Sequence, residues 1–372
     1  MKTKHKVFIT CTSSVSSAGA NNQSLFANII NGQSGIEKDT NSFFEAEPAI
    51  GKLVSTHSFN HELIEQCQNI LEKSRLVDFK STLLVIGSSV GGISLTETIF
   101  LKEGNYKHIN PNLHHIQSIA HTLKTNFDFY DDISFSTACT SSANAIGYAY
   151  EVLSKGLYQN VLVVGADTLS KTTIGGFLSL GVLSSNIAKP FDVNREGMNV
   201  AEAIACLLIE TNPLPNSIEI CGVGYSSDAY HMTHPHPDGL GAISAMKQAL
   251  ESANIESHQI DYINAHGTGT QANDSAEANA IEALFPHKPY VSSTKSITGH
   301  TLGAAGALEV IICSLAINKQ TIPPNNFLDD YENNNINFSL TSKEIPVHYV
   351  LSNSFAFGGN NCSLLLGKHN DH

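Results

Sequence analysis

No stretch of the 372-residue sequence stays apolar long enough to cross a bilayer, so no membrane span is expected. Clustered lysine and arginine are missing too. With 21 basic against 34 acidic residues the net charge is −13, which argues against nucleic acid as a partner, because phosphate binding needs concentrated positive charge. The start, Met1 to Thr10, is basic but lacks the apolar stretch and cleavage site of a signal peptide, and a cytoplasmic location is expected. Seven cysteines at irregular spacings form neither a disulfide framework nor a zinc pattern, so each is judged singly.

What is present is a repeated plan. Ile133-Ser134-Phe135 reads as a strand leading to Cys139; Ala145, Tyr148, Ala149 and Val152 follow at helical spacing, and Val161 to Gly165 reads as a buried strand. Later, Tyr290 to Ser293 leads to His300, Leu308, Ile311, Ile312 and Leu315 mark a helix, and Tyr349-Val350-Leu351 opens another strand. The plan predicts an α/β protein of two related halves. The Pro-containing Thr211 to Ser217 divides them, giving an N-terminal half over 1–212 with the nucleophile and a C-terminal half over 213–372 with two histidines. The Asn-rich stretch from 333 to 337 reads as a surface loop.

Cys139, in Ser136-Thr137-Ala138-Cys139-Thr140-Ser141-Ser142, falls between a strand and a helix, where the helix dipole favours a thiolate and small neighbours admit a thioester. The bland alternative, a small buried core residue, is how the other six cysteines are read. His266 follows the strand-like Ile260 to Ile263 on a glycine-rich loop, and His300 sits in Thr298-Gly299-His300 before a helix rich in small residues. In a chain with 17 histidines, a structural role is the default for each. His231, His234 and His236 suggest a zinc cluster at first sight, but no fourth ligand accompanies them, and they are read as loop residues.

Four motifs in order resemble the elongating β-ketoacyl-acyl-carrier-protein synthases of the thiolase superfamily: Thr137 to Ser141, His266 to Thr270, Lys295 to His300, and Asn353 to Asn361. The resemblance runs over nearly the whole chain and implies a thiolase-like fold, two pseudo-repeated halves in a layered α-β-α-β-α sandwich. It implies that Cys139 takes an acyl group as a thioester, with an oxyanion hole from the N–H groups of Cys139 and Phe357 and a tight backbone at Gly358 and Gly359. His266 and His300 would hold the malonyl thioester oxygen as neutral donors while carbon dioxide leaves. Lys295 and Glu277 resemble a buried charged pair supporting the histidine loops. Thr268 and Thr270 resemble residues that bind the phosphopantetheine arm, and Phe355 and Phe357 belong to the substrate-binding and gating segment. No metal or redox cofactor is implied. The substrates ride on the phosphopantetheine of an acyl carrier protein, and the partner subunit is either a second copy or a chain-length-factor homologue.

The sequence departs from the family in three places. Ala356 stands where glycine is usual, Arg195 to Ala203 lacks a glycine-rich ending, and the chain is short before Cys139. With His231 to Gly239, these departures resemble the synthases of bacterial aryl-polyene pathways. A degradative thiolase would need a second catalytic cysteine, and an initiating synthase an asparagine where His300 stands. A non-catalytic chain-length factor or scaffold is the remaining alternative, and such a subunit should lack the nucleophile.

Overall fold

The computed structural model describes residues 5–40, 43–331 and 335–369, so residues 333 and 334 of the Asn-rich stretch lie outside the described residues. Eleven strands form the main sheet: β1 (Phe8–Ser16), β2 (Thr82–Gly87), β3 (Asp131–Phe135), β4 (Asn160–Asp167), β5 (Ala203–Glu210), β6 (Ile218–Ser227), β7 (Tyr262–Asn264), β8 (Tyr290–Ser292), β9 (Asn337–Phe338), β10 (Tyr349–Phe355) and β11 (Asn360–Lys368). Their spatial order is β9-β8-β7-β10-β11-β6-β1-β5-β4-β2-β3. Leaving aside the short edge strand β9, which extends the second half beyond β8, the order is the same half by half: the third strand lies beside the second, then the fourth, the fifth and the first. Parallel and antiparallel pairings match as well. The first strands of the two halves meet only at Phe8↔Glu219 and Ile9↔Ile218, and these two pairings join the halves into one sheet.

Alternation along the strands explains the layering. In β5, Ala203, Ala205, Leu207 and Ile209 face a central core, whereas Ile204, Cys206 and Leu208 face an outer one, the period-2 pattern of a strand buried on both sides. Two helices fill the central layer: α1 (Ser141–Ser154) and α4 (Ala305–Lys319). Each touches the other and strands of both halves. Outer helices, among them Phe59–Lys73 over the first half and α2 (Leu240–Ala253) and α3 (Gln271–Leu284) over the second, complete five layers. This is the thiolase-like α/β sandwich.

α4 is apolar nearly all round and buried on nearly every side, as a helix between two sheets must be. Against the expectation from sequence, Leu302–Lys319 is long and apolar enough to cross a membrane, but 83% of it is buried, and it is a core helix. Gly306 lets the two central helices approach: a Cβ there would lie 2.7 Å from that of Ala143. Ser142 then caps α4 across the gap, accepting the Ala307 N–H at 2.9 Å. Close central packing fixes the N-termini of α1 and α4 side by side, and the chemistry collects there.

Candidate active site

Cys139 ends the turn between β3 and α1. Ala138, just before it, adopts φ +52°, a left-handed conformation that costs an alanine about 1 kcal/mol and is held by its surroundings. Ser89 Oγ donates to Ala138 O at 2.8 Å and Ser141 Oγ to the same oxygen at 2.6 Å, while Asn144 Nδ2 donates to Thr137 Oγ1 at 2.8 Å. Asp167, at the end of β4, accepts from Ser88 Oγ, from the N–H groups of Ser89 and Val90, and from Gly303 N–H at 2.6 Å. It thereby ties the nucleophile side to the loop after His300.

The helix terminus does not make the thiol acidic. Burial pushes Cys139 up to about 11, against the opposing pull of the Lys295 ammonium and the N–H groups of Phe357 and Cys139 itself. Desolvation outweighs the dipole expected from sequence, because Cys139 is only 9% exposed where it lines the cleft. The same N–H groups of Phe357 and Cys139 are both directed at the Cys139 sulfur. Gly358 N–H is already engaged with Met232 O at 2.8 Å, so its contribution is conformational.

His266 and His300 stand over the sulfur. One potential donor atom from each of the three side chains lies within 4.8 Å of the others, and the imidazole rings meet edge to face with centroids 5.1 Å apart. Leu302 N–H donates to His300 Nδ1 at 3.2 Å, which places that ring's hydrogen on Nε2. Nε2 is buried and has no partner. Lys295 Nζ faces His266 Nδ1 at 3.4 Å and places the hydrogen of that ring on Nε2 too. Burial first, then the Lys295 charge, hold both histidines well below their ordinary range, so they are neutral. The spacing of the three groups would suit zinc, but rings fixed as Nε2–H present hydrogens rather than lone pairs. The arrangement offers hydrogen-bond donors to an incoming acceptor.

The buried lysine has a different partner from the one expected. Lys295 Nζ pairs with Glu309 on α4 and donates to His266 O at 2.5 Å. Glu277 cannot serve, because it is occupied by the backbone: it accepts from His266 N–H and Gly267 N–H, each at 2.8 Å, and from Asn353 Nδ2 at 3.1 Å. Three residues earlier on the same face of α3, Asp274 accepts from Thr268 N–H at 2.9 Å and Gly269 N–H at 3.0 Å. Two carboxylates thus brace the loop that presents His266. Burial raises Glu277 to about 7 against those hydrogen bonds.

Thr268 and Thr270 lie in the cleft with hydroxyls 2.9 Å apart, and Phe355 and Phe357 line it beside them. Phe355 is buried, with its ring 6.1 Å from that of His266, and Phe357 is half-buried, 6.3 Å from Phe177. Ala356 has no left-handed φ, which is why alanine fits where glycine was expected. His231 and His234 sit at the cleft mouth, with Nδ1 atoms 3.1 Å apart. The residues missed from sequence are Glu309, Asp274 and Asp167, along with the contact of Asn353 to Glu277. Glu309 had a legible signal, a single carboxylate within an otherwise apolar run, since a buried charge requires a partner.

Residues 40–213 match the family model described as beta-ketoacyl synthase, N-terminal domain, and residues 218–329 match the C-terminal domain. A 3-oxoacyl-[acyl-carrier-protein] synthase 2 of Vibrio harveyi is 34% identical over 313 residues, 77% of this chain and 75% of the relative. The synthase of the same name from Coxiella burnetii is 39% identical over 256 residues, 64% of this chain and 62% of that protein, a little under two thirds of its length. Among solved structures, a ketosynthase in complex with its chain length factor from Xenorhabdus doucetiae superposes with a TM-score of 0.87 at 30% identity, covering 98% of both chains. A beta-ketoacyl synthase from Burkholderia phymatum gives 0.88 at 26% identity, covering 98% of this chain and 100% of that one.

Proposed function

The chain belongs to the β-ketoacyl synthase family, and from that premise we propose how its own residues carry out the decarboxylative condensation of an acyl group with a malonyl thioester. Cys139 attacks the acyl thioester on a carrier protein; the C–S bond to phosphopantetheine breaks, and the thiol proton ends on the departing sulfur. The N–H groups of Cys139 and Phe357 stabilise the negative charge on the thioester oxygen. Malonyl-carrier protein then enters, and its thioester oxygen accepts from His266 Nε2–H and His300 Nε2–H. Carbon dioxide leaves, the enolate attacks the acyl carbon, and Cys139 departs as a thiolate that takes a proton. The new chain remains on the carrier as a β-ketoacyl thioester.

The observation that carries this reading is the orphaned His300 Nε2–H, a buried donor without an acceptor beside the one cysteine in the cleft. Leaving such a donor unmet costs about 1–3 kcal/mol, recovered when an oxyanion arrives. Thr268 and Thr270 fit the role of holding the phosphopantetheine arm, and Lys295 with Glu309 that of fixing His266. No observation favours a non-catalytic scaffold, which would have no use for this donor set.

A second subunit belongs to the proposal. β3 is an edge strand of the sheet, and the neighbouring helix Ile93–Glu103 leaves Leu95 and Leu101 41% and 51% exposed. We take the partner to be a chain-length-factor homologue, as in the Xenorhabdus complex, with a second copy as the alternative. The setting is cytoplasmic, which suits seven free thiols. A specialised, aryl-polyene-like role would show as preference for polyenoyl over saturated chains.

The test is to incubate the protein, with and without a copurifying partner, with saturated and polyunsaturated acyl-carrier proteins and to measure intact mass and the modified peptide. Acylation at Cys139 is expected. Its absence under every condition would return the scaffold reading.

A further inference from the structure

The segment from Gly197 to Glu202 passes between the two histidine loops, and one polar side chain in it is wholly buried. Asn199 is 1% exposed. Its backbone oxygen accepts the His300 N–H at 2.7 Å, and two residues on, Ala201 N–H donates to His300 O at 2.9 Å. The main chain of His300 is therefore clamped from both sides by this segment. The Asn199 side chain points the other way. Its Oδ1 accepts from Ala188 N–H at 2.6 Å, and its Nδ2 donates to Asn186 O at 2.8 Å and Ala49 O at 3.2 Å.

That second set of contacts leads to the other histidine. Ala188 packs against Gly269, in the turn between Thr268 and Thr270: a Cβ built on Gly269 would lie 3.4 Å from the Ala188 Cβ and 2.7 Å from Gly197 O. Asn199 thus joins the strand that holds His300 to the loop on which the His266 turn rests. We propose that Asn199 is a positioning residue that sets the distance between His266 and His300, and so acts on the malonyl step of condensation.

The chemistry asks for this residue type. The site must offer one acceptor, for the Ala188 N–H, and donors for two carbonyls, all away from water; an amide provides both from one planar group. An apolar residue would strand those groups, and the loop would relax toward water by shifting off Gly269. An aspartate keeps the acceptor and loses the donors. Because neither Asn199 group reaches Cys139, the acyl-loading step depends on it far less than the step that needs two histidines on one oxygen.

The inference rests on the reading of His266 and His300 given above, and the test separates the two. The rate of Cys139 acylation from an acyl-carrier protein is measured by intact mass, and carbon dioxide release from malonyl-carrier protein is measured on the acylated enzyme. Asn199→Ala is expected to slow carbon dioxide release by about ten- to a hundredfold, the scale of an ångström of misplacement, with acylation changed by no more than about twofold. Asn199→Asp should fall between the variant and the natural protein, and being isosteric it carries the same comparison if the alanine variant does not fold. Equal losses in both steps, or no loss in either, would overturn the inference while His300→Ala still slowed carbon dioxide release by about a hundredfold or more. If His300→Ala left that release intact, the reading of the histidine would fall, and this inference with it.

Discussion

Leu302 N–H donates to His300 Nδ1 at 3.2 Å, and this single backbone contact decides what the histidine can do. With Nδ1 occupied as an acceptor, Nε2 carries the hydrogen into the cleft. Leu302 has φ +53°, a conformation disfavoured for leucine that its buried surroundings must hold.

In the proposed mechanism His300→Ala removes one of two donors to the enolate oxygen. We expect carbon dioxide release to fall by about a hundred- to a thousandfold, the usual cost of an oxyanion donor, while acylation of Cys139 stays within a few-fold. His266→Ala should behave alike. Cys139→Ala should abolish acyl-enzyme formation altogether, read by intact mass.

The raised thiol has a measurable consequence. With Cys139 at about 11, only the small thiolate fraction reacts with an alkylating agent at neutral pH. Iodoacetamide labelling of Cys139 should rise about tenfold per pH unit from 7 to 10, because the protonated form predominates throughout that window. A plateau near pH 8 would contradict the assigned burial effect.

Lys295 and Glu309 form a buried pair, and removing one partner leaves the other charged and unpaired. Lys295→Met should lower stability by about 3–5 kcal/mol, and Glu309→Leu added to it should restore much of that. Urea unfolding of the single and double variants gives the coupling. Adding Glu277→Gln to Lys295→Met should give no comparable recovery, since Glu277 holds backbone N–H groups instead.

In the segment from Phe355 to Gly359, Ala356 and Gly359 should respond to very different degrees. Ala356→Gly puts glycine where no left-handed φ demands it, and should cost at most about 1 kcal/mol with little change in turnover. Gly359 has φ +79°, and a Cβ there would lie 1.8 Å from Asp228 O. Gly359→Ala should displace the segment that positions the Phe357 N–H, lowering acylation and thermal stability together.

The sequence by itself determined the alternating α/β pattern, the buried strand β4, the helical run of α4, and the short motifs that carry Cys139, His266 and His300. These are local: period-2 and all-round apolar patterns declare burial, and short motifs declare loops at strand ends. Only the tertiary structure decided how the ionisable groups interact. Glu277 and Glu309 look alike as isolated carboxylates in helices, but one faces backbone N–H groups and the other a lysine from a different layer. The Cys139 thiol was misjudged for the same reason. A helix terminus can be recognised from neighbouring residues, whereas desolvation depends on residues from both halves packed over the sulfur. The clamp on His300 by Asn199 and Ala201 likewise joins positions about a hundred apart in the chain, where no local pattern reaches.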